Sequence, residues 1–334
     1  MFMFIAEDLN QFKILFVRQL KNMLSDDELG AFILVLANSL QDAFLKKELA
    51  EDLKNNFLVL KERHEIGSLK ATQDDLEVFE QLLDLDISQL PVWQSRQAGQ
   101  WQVIYNVMRK LRPARASSQV LDSIVQQFDD EKFHFNKPFL KPEILWQGEY
   151  RDRSVRVLYN KFPFSDYHLL IVVSPENNSA QILRQDMHGY ISQLSSEVSE
   201  VLPGFGIGFN SLAAGASVNH LHFQGFIREQ VFPVENVRDS DRYPLSVKWF
   251  SDAVASWRYI QELTEQDIAF NCLYRGSYCY VVPRKYQGTI ELPDWLNGAG
   301  WLDVAGVMTV SDGDTFATLD ESSITPALGL LLND

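Results

Sequence analysis

Val218-Asn-His-Leu-His-Phe-Gln-Gly-Phe-Ile227 is the stretch on which the reading of this chain turns. Successive side chains of a β-strand point to opposite faces. The alternation therefore predicts a strand with His220, His222 and Gln224 on one face, and Leu221 and Phe223 available to a core. Two imidazoles and a carboxamide in a row, backed by apolar residues, suit three roles. A neutral imidazole, with an unperturbed pKa of ~6.5, can attack phosphorus at neutral pH. Its ring must then be held in one tautomer, and nearby donors must bind the oxygens that gain charge. Gln224 suits that second task, because an amide donates without exchanging a proton. His-x-His is also a good ligand pair for a metal, but zinc needs a third and a fourth ligand. The other histidines, His64, His134, His168 and His188, stand at no telling spacing. The third role is an ordinary strand, and these residues alone leave all three open.

Upstream, Gly204-Phe-Gly-Ile-Gly-Phe-Asn210 clears one face of a second predicted strand, as the close approach of a ligand or another backbone requires. The spacing is not a dinucleotide fingerprint, and no helix follows it. The loop Ser211-Leu-Ala-Ala-Gly-Ala-Ser217 is built of small residues. Its amides suit a phosphate, and a tight connection between strands needs the same residues.

The helix and strand periods organise the rest. Helices are predicted from Phe12 to Leu24, from a capping box Ser25-Asp-Asp-Glu28 through Leu29, Phe32, Ile33, Leu36, Leu40 and Phe44, and from Asp74 to Leu85. A further helix is predicted from Gln97 to Lys110, carrying Trp101, Ile104, Tyr105 and Met108, then a loop from Arg112 to Ser118. Strands are expected over Ser154–Tyr159 and His168–Val173, and a helix over Ser179–Leu202. Phe209-Asn-Ser-Leu212 and Phe270-Asn-Cys-Leu273 each follow a helix and precede a glycine-containing loop and a strand. This order points to an internal duplication whose second copy lacks the histidines.

With 334 residues the chain can bury a large core. A net charge of −15 opposes non-specific binding to nucleic acid, yet a local cluster of donors can still hold a small phosphorylated ligand. The apolar start Met1–Ala6 is followed at once by Glu7 and Asp8 and preceded by no basic residue, so it is not expected to be a signal peptide. No apolar run approaches the ~20 residues that span a bilayer. A cytoplasmic protein without a membrane or nucleic-acid partner is expected. Cys272 and Cys279 read as small buried strand residues.

Taken together, Asn210, Gly215, Ser217, His220, His222 and Gln224 form the pattern Asn…Gly-x-Ser-x-x-His-x-His-x-Gln. It resembles the histidine triad superfamily in its galactose-1-phosphate uridylyltransferase-like branch, and within that branch the GDP-hexose phosphorylases that act on GDP-L-galactose or GDP-D-glucose. Asn160-Lys-Phe-Pro163 with Tyr167-His-Leu-Leu-Ile171 resembles the first strands of the same unit, and Asn271 to Arg284 resembles a degenerate second unit. The likeness covers about residues 95 to 310; the helical N-terminus has no counterpart in it. It implies an α+β fold of two tandem units, each an antiparallel sheet flanked by helices. The expected division is 1–94 helical extension, 95–232 catalytic unit and 233–334 degenerate unit.

By the same resemblance His222 would be the nucleophile, oriented through the His220 main chain, and Gln224 and Ser217 would bind phosphoryl oxygens. Asn210 would contact the ribose or α-phosphate region, Asn160, Lys161 and Phe162 would line the nucleoside pocket, and Gly215 is a further substrate-binding candidate. Arg284 and Lys285 are further candidates for phosphate. The implied reaction transfers a nucleotidyl group from a nucleoside diphosphate sugar, through a covalent nucleotidyl-histidine, to phosphate or a sugar phosphate. No cofactor is expected; members of this family often carry structural zinc ligands, but this sequence offers no convincing set, so no metal-binding residue is assigned. A dinucleoside tetraphosphate phosphorylase and a non-catalytic nucleotide sensor are the alternatives, and a homodimer is left open.

Overall fold

The computed structural model describes residues 3–111, 121–239 and 243–333. The predicted loop from Arg112 to Ser118 lies outside them. Eleven strands are described: β1 (Gln94–Ala98), β2 (Trp101–Tyr105), β3 (Ile144–Tyr150), β4 (Arg153–Tyr159), β5 (Leu169–Val173), β6 (Phe205–Asn210), β7 (Phe223–Ile227), β8 (Lys248–Phe250), β9 (Ala269–Arg275), β10 (Tyr278–Arg284) and β11 (Val307–Val310). The helices are α1 (Leu9–Met23), α2 (Leu29–Ser39), α3 (Ala43–Glu65), α4 (Gln73–Leu83), α5 (Gln185–Val201), α6 (Ala253–Glu265), α7 (Trp301–Val304), α8 (Gly313–Thr318) and α9 (Glu321–Gly329). This is the expected α+β class, with antiparallel strands flanked by helices and a helical N-terminal region.

Eight strands form one sheet in the order β3-β4-β5-β7-β6-β9-β10-β8. The two repeats of the sequence meet inside it, because β6 and β9 pair antiparallel with Asn210 opposite Asn271. Alternation sorts the side chains. Phe223, Cys272, Tyr274, Cys279 and Val281 join the large core beneath α5 and the N-terminal helices. Phe226, Leu273, Tyr280 and Val282 turn to the opposite face, against Trp101, Trp301 and the C-terminal helices.

The N-terminal helices carry their apolar stripes into the same large core. Phe12, Phe16, Leu20, Phe32 and Ile33 are fully buried, Phe16 meets Tyr159 edge-on at 4.8 Å, and Tyr159 Oη donates to the Phe16 carbonyl at 2.7 Å. Each fully buried side chain of this kind stabilises by ~1.5–3 kcal/mol. The predicted capping box does not form. Ser25 Oγ donates back to the Asn22 carbonyl at 2.8 Å, α2 starts at Leu29 without a side-chain cap, and Phe44, beyond a break at Leu40, is exposed on α3.

Gln97–Lys110 is not a helix. Gln94–Ala98 and Trp101–Tyr105 pair as an antiparallel hairpin, turned by Gly99 at φ +64°, and β11 adds to β2 in parallel. Val107–Leu111 is a 3-10 turn. The predicted helix from Ser179 to Leu202 begins only at Gln185. The histidine strand is also shorter than the alternation implied. It starts at Phe223, because the Leu221 N–H bonds to the Ser179 carbonyl at 2.8 Å instead of to a neighbouring strand. Among the described residues, no helix is long and apolar enough to cross a membrane.

Candidate active site

His222 is 5% exposed and reaches a cavity of about 1730 Å³ on the face of the sheet opposite α5. Its Nδ1 lies 2.8 Å from the His220 carbonyl oxygen. A carbonyl only accepts, so Nδ1 carries the proton and the lone pair of the neutral ring sits on Nε2. Burial pushes the imidazole down to about 4, the His220 carbonyl opposing the shift. The ring is therefore neutral at pH 7, as a nucleophile must be. Its peptide is held on both sides by Gln181. Oε1 of that residue accepts from the His222 N–H at 2.9 Å, and Nε2 donates to the carbonyls of His222 at 3.2 Å and Asn210 at 2.9 Å.

Gln224 lies on the same wall. Trp301 Nε1 donates to Gln224 Oε1 at 2.6 Å. An indole only donates, so this contact settles which end of the amide is oxygen and leaves the NH₂ as the end available to a ligand. Asn210 is arranged alike, its Oδ1 accepting from Asn271 Nδ2 and the Trp301 N–H, each at 2.7 Å. Ser217 and Gly215 line the same wall. Gly215 has φ +100°, and a Cβ there would lie 2.8 Å from the Ala299 carbonyl, so the small-residue loop sits directly on the segment before α7. The stripe Gly204, Gly206, Gly208 meets the expectation of a close backbone approach only at Gly204. A Cβ on Gly206 would meet Phe226 at 2.4 Å, and one on Gly208 would meet the Trp301 indole at 2.3 Å. Aromatic rings fill that face at Gly206 and Gly208, whereas Gly204 admits another backbone, a Cβ there lying 2.8 Å from the Arg228 carbonyl carbon.

Asn160, Lys161 and Phe162 line the cavity at its other end. Asn160 Oδ1 accepts from the Phe162 N–H at 3.0 Å, which fixes the turn. Lys161 pairs with Asp75 of α4 at 2.5 Å. Glu143 lines the cavity too; burial raises its carboxyl to about 7, against the pull of Lys161.

Eight of the nine candidate residues thus line one cavity, and His220 does not. It lies outside the strand, so the expected shared face with His222 is lost. Its Nδ1 accepts from the Phe135 N–H at 3.1 Å and its ring stacks on Phe135. It touches the site only through its carbonyl. Arg284 and Lys285 also stay out of the cavity. Arg284 is fully buried and donates to the Ala299 carbonyl at 2.7 Å, bracing the loop under Gly215. Gln181, Trp301, Asp75 and Glu143 were not singled out in the sequence, where nothing in their spacing marks them.

Residues 96–226 match the family described as GDPGP1-like, N-terminal domain. Over this stretch the chain is similar to that domain. GDP-D-glucose phosphorylase 1 of Danio rerio is 33% identical over 135 residues, 39% of this chain and 37% of that protein. The protein of the same name from Homo sapiens is 33% identical over 131 residues, 36% of this chain and 33% of that protein. GDP-L-galactose phosphorylase 1 of Arabidopsis thaliana is 30% identical over 131 residues, 34% and 29% of the two chains. The matches therefore span about a third of these relatives' length. In three dimensions the chain resembles the yeast Ap4A phosphorylase Apa2, with TM-score 0.52 and 14% identity over 79% of this chain and 96% of that one. That likeness concerns the fold alone. The matched stretch contains Asn160, Asn210, His222 and Gln224; Asp75, which lines the cavity, and Trp301, which acts on it through Gln224, lie outside that stretch.

Proposed function

We propose that this chain is a nucleotide-sugar phosphorylase in which His222 carries the nucleotidyl group. His222 Nε2 attacks the α-phosphorus of a nucleoside diphosphate hexose. The N–P bond forms as the bond from that phosphorus to the bridging oxygen breaks, and hexose 1-phosphate leaves. An oxygen of inorganic phosphate then attacks the same phosphorus, the N–P bond breaks, the imidazole returns neutral and a nucleoside diphosphate departs. The carrying observation is the Nδ1–H to His220 carbonyl bond at 2.8 Å on a ring that lines the cavity beside Gln224. That bond fixes the tautomer, and it offsets the charge that develops on the ring during attack. The Gln224 and Asn210 amides and the Ser217 hydroxyl supply donors for the phosphoryl oxygens. The sequence relatives, named as GDP-hexose phosphorylases, support the substrate class.

A second reading, a phosphorylase of dinucleoside tetraphosphates, uses the same nucleophile and is favoured by the size of the cavity. Ligand pockets are usually about 300–1,000 Å³. We retain the division at 94/95 and 232/233 as a proposal, with the C-terminal part lending Trp301 to the catalytic unit.

The test is to supply GDP-glucose labelled in the α-phosphate without phosphate, quench, and look for label on the protein. We expect stoichiometric, acid-labile labelling that phosphate discharges. His222→Asn should give no label and no turnover while its circular dichroism and Tm stay near those of the parent. More than a few per cent residual activity would remove His222 from this role.

A further inference from the structure

The helical layer turns Asp26, Glu28, Lys70, Asp74 and Asp75 to the cavity, and of these only Asp75 is buried. Asp75, in the first turn of α4, is 8% exposed, and its Oδ1 accepts from Lys161 Nζ at 2.5 Å. Both side chains line the cavity, next to Asn160 and Phe162. Asp75 Oδ2 makes no hydrogen bond to the described residues. Gly30 of α2 stands beside it, and a Cβ there would lie 3.1 Å from Oδ2 and 3.5 Å from Lys161 Nζ. Glycine is a poor helix former, and at this position it keeps the second carboxylate oxygen uncovered. A pair that served only to dock the helices would not need that oxygen open towards the cavity. Lys161 has three donors and spends one on Asp75.

We propose that Asp75 and Lys161 read the base of the nucleotide as guanine, the carboxylate accepting from N1–H and the N2 amino group and the ammonium donating to O6. Guanine sets two donors beside an acceptor, and a carboxylate beside an ammonium is the complement. Adenine puts an acceptor where guanine has N1–H, uracil has a single donor between two acceptors, and hypoxanthine lacks the N2 amino group. Phe162, lining the same end, offers an apolar surface for the ring. The inference rests on the cavity's being the nucleotide site, and it makes the N-terminal layer a specificity element.

The test uses the full chain carrying His222→Asn, which holds nucleotides without turning them over. Binding of GDP, IDP and ADP is measured by calorimetry. GDP should bind roughly tenfold or more tightly than IDP, and ADP more weakly still, the scale of a charge-assisted hydrogen bond. Adding Asp75→Asn should weaken GDP and erase the GDP–IDP difference. Gly30→Ala, which favours the helix and covers Oδ2, should weaken GDP while sparing ADP, and it serves if the Asp75 variant does not fold. Equal affinity for GDP and ADP in the parent overturns this inference, even if the labelled histidine still forms. So does equal weakening of all three nucleotides by Asp75→Asn, which is what a docking pair would give. No nucleotide bound and no labelled histidine would instead overturn the function on which the inference rests.

Discussion

Trp301 and Gln181 act at the level of single hydrogen bonds, one aiming the Gln224 amide and the other fixing the His222 peptide. Trp301→Phe keeps a ring over Gly208 but deletes the N–H that identifies the oxygen end of Gln224. We expect kcat to fall about 10- to 100-fold, less than the ~10²–10³ for a donor that touches the reacting group itself, with a cost of ~1–3 kcal/mol in stability for the lost volume. Steady-state kinetics beside chemical denaturation separate the two effects. His188, His220 and His222 are each depressed by burial to about 4. The unfolded chain therefore binds more protons between about pH 6.5 and 4, and stability should fall as pH drops through that window. Glu143 works in the opposite sense. Its carboxyl is raised to about 7, so the stability it contributes is complete below pH ~4.5 and is lost as pH rises through 7. Glu143→Gln should raise Tm, relative to the parent, more at pH 8 than at pH 5; an equal change at both would show that the carboxyl is not buried. The motif that carries the family resemblance was enough to gather His222, Gln224, Asn210 and Ser217. It could not gather Gln181, Trp301 or Asp75, whose contacts span 41, 77 and 86 residues.

The elements show where periodicity works and where it fails. β4 and β5 alternate between a core face and a cavity face, and they stand close to their predicted limits. β2 does not alternate: Trp101, Gln102, Val103 and Ile104 are all buried, because the strand is central in its sheet and covered on both sides. Such a run cannot be told from a helix by period alone, and Gly99 in the hairpin turn was the discriminating residue. The histidine segment misled differently, since its alternation is real but the loop at Ser179–Gln181 takes the hydrogen bonds a strand partner would have. Gly208 gives a test at this scale. Gly208→Ala places a methyl group 2.3 Å from the indole of Trp301. Overpacking of that kind costs ~1–3 kcal/mol, and moving the ring should also lower activity. A Gly208→Ala protein with parental denaturation and kinetics would show that Trp301 does not depend on that bare strand face.

At the scale of the molecule, the N-terminal helices are a wall of the main core and of the cavity. Phe4 lies against Trp146, Tyr150 and Phe205, and Phe12 and Phe16 against Tyr167. Removing residues 1–90 would bare that surface and delete Asp75. We expect the truncated chain to be insoluble or aggregated in size-exclusion chromatography; a soluble, monodisperse and active product would make the layer a separate module. Large apolar side chains at helical spacing made the layer legible as buried. What it covers was not legible, because that depends on which face of the sheet it meets.

The parallel pairing of β2 with β11 has a consequence for the birth of the protein. Gln102 and Val307 are neighbours in the finished sheet but about two hundred residues apart along the chain. At ~5–20 residues per second, the ribosome needs roughly 10 to 40 s to deliver the second after the first. For that interval the β1–β2 hairpin waits with Trp101 and Val103 uncovered and one strand edge open. Nascent chains arrested just before Val307 should accordingly be captured by chaperones, and release of the segment through Val310 should end the capture.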